Sequence, residues 1–264
     1  KKSIRLCNWS SMNILVTGHK GFIGSYVFDH LKTKFENSTI VGLDFPNDIR
    51  DFIRFLACDT IRYDVIIHLA AFAALRDSIE NPDKFWENNV VKSQPIFNYC
   101  RRNNIRLLYA SSAGAHVWWM NPYSMTKKVN EIQAPPNSVG MRFFNVWAED
   151  NSREDMLYRM LVDNTAKYLT THKRDWIHVH DVAEAICCLI PSTFTGTIDI
   201  GTGQKTSVLD LANALGRDSL PIKEVSNEPD SLCADTTKLR DLGWSPTINI
   251  LERIETLKKV STEP

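Results

Sequence analysis

Along the first half of the chain, short apolar runs alternate with amphipathic stretches. The apolar runs at Asn13–Thr17, Thr39–Leu43 and 64–69 are rich in Val, Ile and Leu, which is typical of strands buried on both faces. The same pattern predicts further strands over 106–110 and 138–144, and helices over 21–35, 51–57, 82–103 and 123–133. This alternation indicates an α/β fold, a Rossmann-type doubly wound parallel sheet with ligands at the carboxyl ends of its strands.

The pattern loosens after residue 145, where a smaller lobe is predicted. Helices are expected over 156–165, 181–189 and 208–215, and strands over 175–179 and 197–200. Ser207 and Gly216 are placed to cap and end the last helix, and Asp181 to stabilise the amino end of the helix it begins. We divide the chain into a Rossmann domain over 12–145, with 174–190 packing back onto it, a smaller C-terminal α/β lobe over 146–264, and an upstream extension over 1–11.

Composition and charge narrow the class of protein. The chain has 264 residues with 31 basic and 31 acidic side chains, so it has no excess positive charge with which to bind nucleic acid or an acidic membrane. No apolar run approaches the roughly 20 residues that a membrane helix needs. The six cysteines lack the spacing of a zinc site or a disulfide framework. We expect a soluble, cytoplasmic protein without a nucleic-acid or membrane partner.

The first predicted strand runs into a turn that contains Gly18, Gly21 and Gly24. Gly18 permits the tight turn, Gly21 lets the backbone approach a pyrophosphate, and Gly24 allows the helix to pack closely on the sheet. Asp44 closes the second strand, where its carboxylate can accept hydrogen bonds from ribose hydroxyls and would repel a 2′-phosphate. The motif therefore predicts NAD rather than NADP. The alternatives are a glycine turn without a ligand and an aspartate that only caps a turn.

Tyr123 and Lys127 are four residues apart on a predicted helix and therefore share one face. A nearby ammonium favours the phenolate, so Lys127 can lower the pKa of Tyr123 and make it a general base near neutral pH. Ser112, at the end of a strand, could hydrogen-bond the same substrate oxygen. Taken alone, the pair could equally be an exposed helical pair, and Ser112 an ordinary strand-end serine.

Together these motifs resemble the extended short-chain dehydrogenase/reductase superfamily and, within it, the NAD-dependent epimerase/dehydratase family. The resemblance covers most of the chain. Beyond the glycine turn and the tyrosine–lysine pair, the similar segments are 68–71, 87–90, 109–113, 142–145, 174–181, 233–238 and 242–246. Sugar-nucleotide epimerases of the UDP-glucose 4-epimerase type are the most similar in character.

The resemblance implies an NAD-dependent sugar-nucleotide epimerase that oxidises its substrate transiently to a keto-sugar and re-reduces it, with Tyr123 as the base. The implied catalytic residues are Ser112, Tyr123 and Lys127. The implied cofactor-binding residues are Gly18, Gly21, Phe22, Ile23, Gly24, Asp44, Asp48, Ile49, Leu69, Ala70, Ala71, Asn89, Tyr123 and Lys127. The implied substrate-binding residues are Ser112, Asn145 and Arg174. Arg174 could instead form only an ion pair with its neighbour Asp175.

Departures from the family pattern narrow the reaction. The segment 112–115 has no carboxyl group, whereas the resemblance implies an acid there in dehydratases and decarboxylases, so elimination is disfavoured. Ala113 replaces the cysteine of the epimerase-reductases that form fucose nucleotides. Two alternatives stay open. One is a sugar-nucleotide reductase or dehydrogenase of the same family, and the other is a catalytically idle protein that binds NAD or a nucleotide.

Other departures concern the substrate pocket and the oligomeric state. The loop between Ser112 and Tyr123 is shorter than in relatives, and 227–230 replaces an expected arginine, with Lys223 as a candidate substitute. A Pro-Pro pair at 135–136 shortens the Tyr123 helix, which in relatives contributes to a dimer interface. A homodimer is therefore an open possibility.

Two groups of aromatic side chains have no assigned chemistry. Trp118 and Trp119 lie between the candidate serine and tyrosine, and they could wall the substrate site or cover the core. His178 and His180 alternate along a predicted strand and would share one face. With His116 they lack the spacing of a metal site, so we expect packing or supporting roles and no bound metal.

Overall fold

The structure, a computed structural model, describes residues 11–44, 52, 54–56, 60–150 and 152–262. Its strands are β1 (Asn13–Thr17), β2 (Thr39–Leu43), β3 (Val65–His68), β4 (Arg106–Ser112), β5 (Ser138–Phe143), β6 (Asn145–Trp147), β7 (Lys173–Arg174), β8 (Trp176–His178), β9 (Gly196–Ile200) and β10 (Thr206–Ser207). Its helices are α1 (Phe22–Lys34), α2 (Leu75–Glu80), α3 (Pro82–Asn89), α4 (Gln94–Asn103), α5 (Pro122–Gln133), α6 (Leu157–Val162), α7 (Val179–Leu189), α8 (Val208–Ala214), α9 (Thr237–Asp241) and α10 (Ile250–Thr262). Among these described helices, none is both long and apolar enough to cross a membrane.

The centre of the molecule is a parallel sheet with the strand order β2-β1-β3-β4-β5-β9. The strand order reverses at β1, because the chain passes outward to β2 and then returns to β3 on the other side. A crevice opens at such a switch point, at the carboxyl ends of the strands. The predicted fold class, a Rossmann-type doubly wound parallel sheet, is confirmed.

Alternate side chains of the strands enter two separate cores on the two faces of this sheet. On one face Ile14 and Val16 of β1 lie in a cluster with residues of α1 and α7. On the other face Leu15 lies in a cluster with Phe97 of α4. Both faces are apolar, which is why the strands read as continuous hydrophobic runs. Helix α7 packs against α1, so part of the segment 174–190 lies on the Rossmann domain.

A further core belongs to the second half of the chain. Strands β6 and β8 pair in parallel, and β7 pairs with β10 antiparallel. Buried side chains of these strands and of helices α6, α8 and α10 form the cluster Trp147, Tyr158, Leu161, Ala166, Leu169, Trp176, Val208, Leu211, Ala212, Ile250 and Ile254. Some of its residues, among them Ala166, Trp176 and Val208, line the cleft described below.

The structure corrects the predicted helix over 82–103. The segment forms two helices, α3 and α4, separated by a 3-10 turn at Val91–Ser93. Pro95 lies in the first turn of α4 and has no backbone N–H, so a helix that arrives from α3 cannot continue through it. The predicted helix over 51–57 includes positions outside the described residues.

The prediction that His178 and His180 share one face of a strand is wrong. Strand β8 ends at His178, whose Nδ1 accepts a hydrogen bond from the backbone N–H of His180 and so caps α7. His180 therefore lies in the helix, with its ring stacked on that of His178. Asp181 lies in the first turn of α7, as predicted, and its carboxylate accepts hydrogen bonds from the backbone N–H groups of Thr247 and Ile248, before α10.

Candidate active site

The glycine turn between β1 and α1 forms one wall of a cleft. Gly18 has φ 73°, and a Cβ there would lie 2.6 Å from the backbone nitrogen of Ala70, at the end of β3. A Cβ on Gly24 would overlap the carbonyl oxygen of Gly18. Only glycine therefore permits this close approach of turn, helix and neighbouring strand. The amino end of α1, with its unpaired N–H groups, faces the cleft beside this turn.

Asp44 lies at the rim of this turn, directly after β2. Its Oδ2 accepts a hydrogen bond from the backbone N–H of Lys20 at 2.9 Å. The carboxylate therefore does cap the turn, which was the alternative prediction, and it lies beside the turn where a ribose-binding carboxylate is expected. Asp48 and Ile49, the other two residues predicted in this region, lie outside the described residues.

Ser112 and Tyr123 meet at the opposite wall, at the end of β4 and the start of α5. The hydroxyl of Ser112 lies close enough to the phenol of Tyr123 to favour its ionised form. Asn121 orients α5, because its Oδ1 accepts a hydrogen bond from the N–H of Ser124 as the N-cap. Ser78 of α2 also accepts a hydrogen bond from the N–H of Tyr123 at 3.1 Å. Both contacts hold the amino end of α5, which carries Tyr123.

The electrostatics of Tyr123 differ from the prediction. Burial raises the pKa of Tyr123 above its usual value, and the hydrogen bond from Ser112 and the charge of Arg153 only partly oppose this. The prediction that Lys127 lowers this pKa is wrong. The ammonium lies 5.7 Å from the ring centroid and donates a hydrogen bond to the carbonyl oxygen of Ala110 at 2.9 Å instead. Arg153, which the sequence pattern did not single out, is the cation that favours the phenolate here.

Lys127 is itself almost completely buried, with 2% of its surface exposed. Burial lowers the pKa of Lys127 to about 7. Nearby, burial and the charge of Lys127 lower the pKa of His68 to about 3, so this histidine is neutral at pH 7. The His68 ring makes hydrogen bonds to Thr17 at 2.7 Å and Ser93 at 3.0 Å, which tie the carboxyl end of β3 to β1 and to the turn before α4.

A cleft of about 830 Å³ lies between these two walls. The predicted site residues that line it are Gly18, Gly21, Phe22, Ile23, Gly24, Leu69, Ala71, Ser112, Tyr123, Lys127, Asn145 and Arg174. One continuous cavity therefore brings together the glycine turn, the tyrosine–lysine–serine set and the two predicted substrate residues. Such a set is the arrangement required for proton and hydride transfer at a bound dinucleotide.

The sequence model of the NAD dependent epimerase/dehydratase family matches residues 14–201, which include this whole constellation up to Arg174. The chain belongs to the NAD dependent epimerase/dehydratase family. The family assignment and the prediction of NAD as cofactor are thereby confirmed. The glycine turn provides the close backbone approach that the pyrophosphate of such a cofactor requires.

Relatives of the chain within this family differ in their reactions. The UDP-glucose 4-epimerase GEPI42 of Cyamopsis tetragonoloba is 25% identical over 92% of this chain and 92% of its own. The structure of MoeE5 in complex with UDP-glucose and NAD has a TM-score of 0.78 at 22% identity, covering 95% of this chain and 100% of that chain. TunA, an NAD-dependent NDP-hexosamine 5,6-dehydratase, has a TM-score of 0.78 at 22% identity, covering 96% and 98%. The likeness to the two solved structures shows the fold, and an epimerase and a dehydratase are both among the proteins similar to this chain.

Two predicted cofactor-binding residues of this family member lie behind the cleft rather than in it. Ala70 contacts the backbone of Gly18 from the end of β3. Asn89 is fully buried, and its side chain forms hydrogen bonds with both the N–H and the C=O of Phe72. It also donates a hydrogen bond to Thr126, whose hydroxyl bonds the carbonyl of Tyr123. The structure assigns Asn89 a supporting role, in which it ties the loop after β3 to helix α5.

Arg174 is a nearly buried cation on the substrate side of the cleft. It donates to the carbonyl oxygen of Pro229 at 2.6 Å and to the carboxylate of Glu228 at 3.1 Å. The alternative prediction of an ion pair with Asp175 is wrong, because that carboxylate accepts hydrogen bonds from the backbone N–H groups of Thr202 and Gly203 instead. The acid that pairs with Arg174 comes from the segment where the sequence lacks the expected arginine.

The aromatic and histidine side chains to which the sequence assigned no chemistry do not line the cleft. Trp118 and Trp119 contact each other edge to face and are exposed, Trp119 to 64%, so they neither wall the cleft nor cover the core. His178 pairs with Glu149 at 2.9 Å and His116 with Asp199 at 3.0 Å. Among the described residues, no group of three or more ligating side chains could hold a metal ion.

Several cleft residues have no signal in the sequence pattern. These are Arg76, Asp77, Arg153, Glu154, Asp155, Lys167, Tyr168 and Glu228. Each lies in a loop or a short helix without a motif, so only the tertiary structure brings it to the site. The exception is Asn121, because Asn followed by Pro122 is a recognisable start of a helix and could have been assigned as the N-cap of α5.

Proposed function

We propose that this protein is an NAD-dependent sugar-nucleotide epimerase that oxidises a substrate hydroxyl transiently and reduces the resulting ketone from either face. The observation that carries the proposal is the single cleft that Ser112, Tyr123 and Lys127 line together with the glycine turn. The similarity to a UDP-glucose 4-epimerase and to a protein that binds UDP-glucose and NAD supports a nucleotide sugar, and specifically a UDP-sugar, as substrate.

The residues present fit NAD. The close packing at Gly18 and Gly24 leaves backbone N–H groups of the turn and of α1 available to a pyrophosphate, and Asp44 at the rim disfavours a 2′-phosphate. Lys127 would hold the ribose near the reacting centre. When bound, NAD supplies a hydride acceptor that becomes the hydride donor of the return step.

Within this arrangement Tyr123 takes the proton from the substrate hydroxyl and returns it after reduction. Ser112 donates a hydrogen bond to the same oxygen and stabilises its developing negative charge. Because burial raises the pKa of Tyr123, its ionisation depends on neighbouring cations, of which Arg153 already acts in that direction. Tyr123 thus works as a reversible proton shuttle.

Two carboxylates of the cleft, and the absence of one beside Ser112, favour epimerisation over elimination. None follows Ser112 in the segment 112–115. Asp77 accepts hydrogen bonds from Lys84 and Asn81, and Asp155 is bound by Arg153 through two hydrogen bonds. Carboxylates that are engaged in this way are poor candidates for the acid and base of water loss, since their lone pairs already accept hydrogen bonds from other side chains.

Incubation of the purified protein with UDP-glucose tests this proposal. We expect a product of unchanged mass that has the epimeric configuration by NMR, with no net formation of NADH, because each cycle regenerates the oxidised cofactor. Net consumption of added NAD(H) would instead support the reductase or dehydrogenase. A product lighter by one water would support a dehydratase, and NAD binding without turnover of any nucleotide sugar would support the idle binding protein.

We also propose a homodimer through helices α3 and α5, which pack side by side. They expose Trp86, Met125 and Ile132, the last to 73%. Light scattering should give a dimer for the native chain and a monomer for Ile132→Glu, since a carboxylate in an apolar interface is unpaired. Val260→Glu on α10 removes a similarly exposed apolar side chain and should leave the dimer intact. A native monomer would contradict this proposal.

The cytoplasmic location stays a prediction from the sequence.

A further inference from the structure

The arginines that line the described cleft are already paired with carboxylates of the same cleft. Arg153 makes two hydrogen bonds to Asp155. Arg174 and Arg76 both approach Glu228, at 3.1 Å and 3.8 Å. An anionic substrate that enters the cleft therefore meets guanidinium groups whose charge an internal acid has largely neutralised. In a site whose arginines have no carboxylate partner, by contrast, the full guanidinium charge is available to a phosphate.

Of these pairs, the one between Arg174 and Glu228 is the most shielded from water. The two side chains are 11% and 22% exposed, whereas those of Arg153 and Asp155 are 38% and 48% exposed. An exposed pair is screened and weak, but a shielded charge-assisted pair is not. Replacement of Glu228 by another anion as the partner of Arg174 should therefore change the binding free energy of that anion substantially.

Glu228 is also held in place by its backbone. The carbonyl oxygen of Asn227 accepts a hydrogen bond from the side chain of Asn121, the N-cap of α5. On the other side, the carbonyl oxygens of Pro229 and Asp230 accept hydrogen bonds from Arg174 and from the N–H of Lys173. Residues 227–230 thus form a strap from the catalytic helix to β7, and this strap presents the carboxylate of Glu228 to the cleft.

We propose that Glu228 is an internal competitor for the phosphate-binding guanidinium of Arg174, so that a nucleoside diphosphate binds only by displacing this carboxylate. The inference rests on the proposed function, because it concerns the diphosphate of the proposed substrate. Its consequence is selectivity. A ligand with one phosphate or none gains too little at Arg174 to displace Glu228, whereas a diphosphate brings enough charge and enough acceptor oxygens to replace it.

Calorimetric titration of the NAD-loaded protein with UDP and with uridine tests the proposal. Glu228→Gln removes the competing charge and keeps the shape, so we expect the Kd for UDP to fall about fivefold or more, the lower end of typical coupling between sites. The Kd for uridine should not change, because it has no phosphate. Glu224→Gln removes the same charge from an exposed position four residues earlier and should leave both values unchanged.

The outcomes separate this inference from the proposed function. If Glu228→Gln binds UDP as the native protein does, or more weakly, Glu228 has only a structural role. In that case the inference fails and the proposed function is unaffected. If Glu228→Gln and Glu224→Gln tighten UDP binding equally, the effect is one of general charge and the inference also fails. If neither the native protein nor the variants bind UDP while NAD binding persists, the nucleotide-sugar function fails and the inference fails with it.

Discussion

Replacing Tyr123 by phenylalanine should reduce turnover by about 10²- to 10⁴-fold, the usual contribution of a positioned general base. The variant lacks only the phenol oxygen, which is the group that takes and returns the substrate proton. Its ring should keep its edge-to-face contact with Phe85, and its backbone N–H its hydrogen bond to Ser78. NAD binding should therefore persist while chemistry is lost.

The measurement is the rate of interconversion of a UDP-sugar, together with NAD retention by native mass spectrometry. Tyr158→Phe is the matched control, since Tyr158 is a buried tyrosine that packs on Trp147 outside the cleft. Loss of its hydroxyl should leave turnover unchanged. Undiminished turnover in Tyr123→Phe would contradict the mechanism, and loss of NAD from that variant would show that the tyrosine acts on cofactor binding rather than on proton transfer.

The residues that the candidate site brings together could be predicted because they are linked by local rules. Tyr123 and Lys127 share a helix face through a four-residue spacing, and Gly18 and Gly24 follow directly from the end of an apolar strand. Strands β1 and β2 begin and end at the predicted residues, since continuous apolar runs bounded by a glycine or a charged residue leave little freedom in register.

The electrostatic partners could not be predicted, because they are distant in sequence. Arg174 and Glu228 are 54 residues apart, and a two-residue strand meets a loop without periodicity there. The charge of Arg153 likewise acts on Tyr123 from a loop after β6, whereas the sequence pattern indicates only Lys127 as the cation near the phenol. A sequence pattern shows which residues share one face of a helix or strand. Burial depends instead on the whole packed structure, and burial determines the direction of these pKa shifts.

The buried ammonium of Lys127 should make the stability of the NAD-free protein increase with pH. Its pKa is about 7 in the folded protein because of burial, against 10.5 in an exposed lysine. Between these two values the unfolded chain binds more protons at this residue than the folded protein does, and stability therefore rises with pH. Below pH 7 both states are protonated, and the full cost of burying the charge, on the order of a few kcal/mol, remains.

Replacing Lys127 by methionine should therefore stabilise the NAD-free protein at pH 6 to 7 by several degrees in Tm, on the scale of about 2–4 °C per kcal/mol for a chain of this size. Methionine fills a similar volume without a charge, and its loss of the hydrogen bond to Ala110 is the smaller effect. Turnover should be lost, since no cation remains at this position to hold the ribose.

Thermal unfolding of both proteins from pH 6 to pH 9 checks this expectation. The difference in Tm between Lys127→Met and the native protein should shrink as the pH rises above 7, because the native lysine becomes neutral. Groups common to both proteins cancel in this difference. Lys128→Met removes the neighbouring lysine, which is partly exposed and pairs with Glu131 at 3.5 Å, and should change Tm little at any pH. A difference that does not vary with pH would mean that Lys127 titrates as an exposed lysine does, and that its ammonium reaches water in the folded protein.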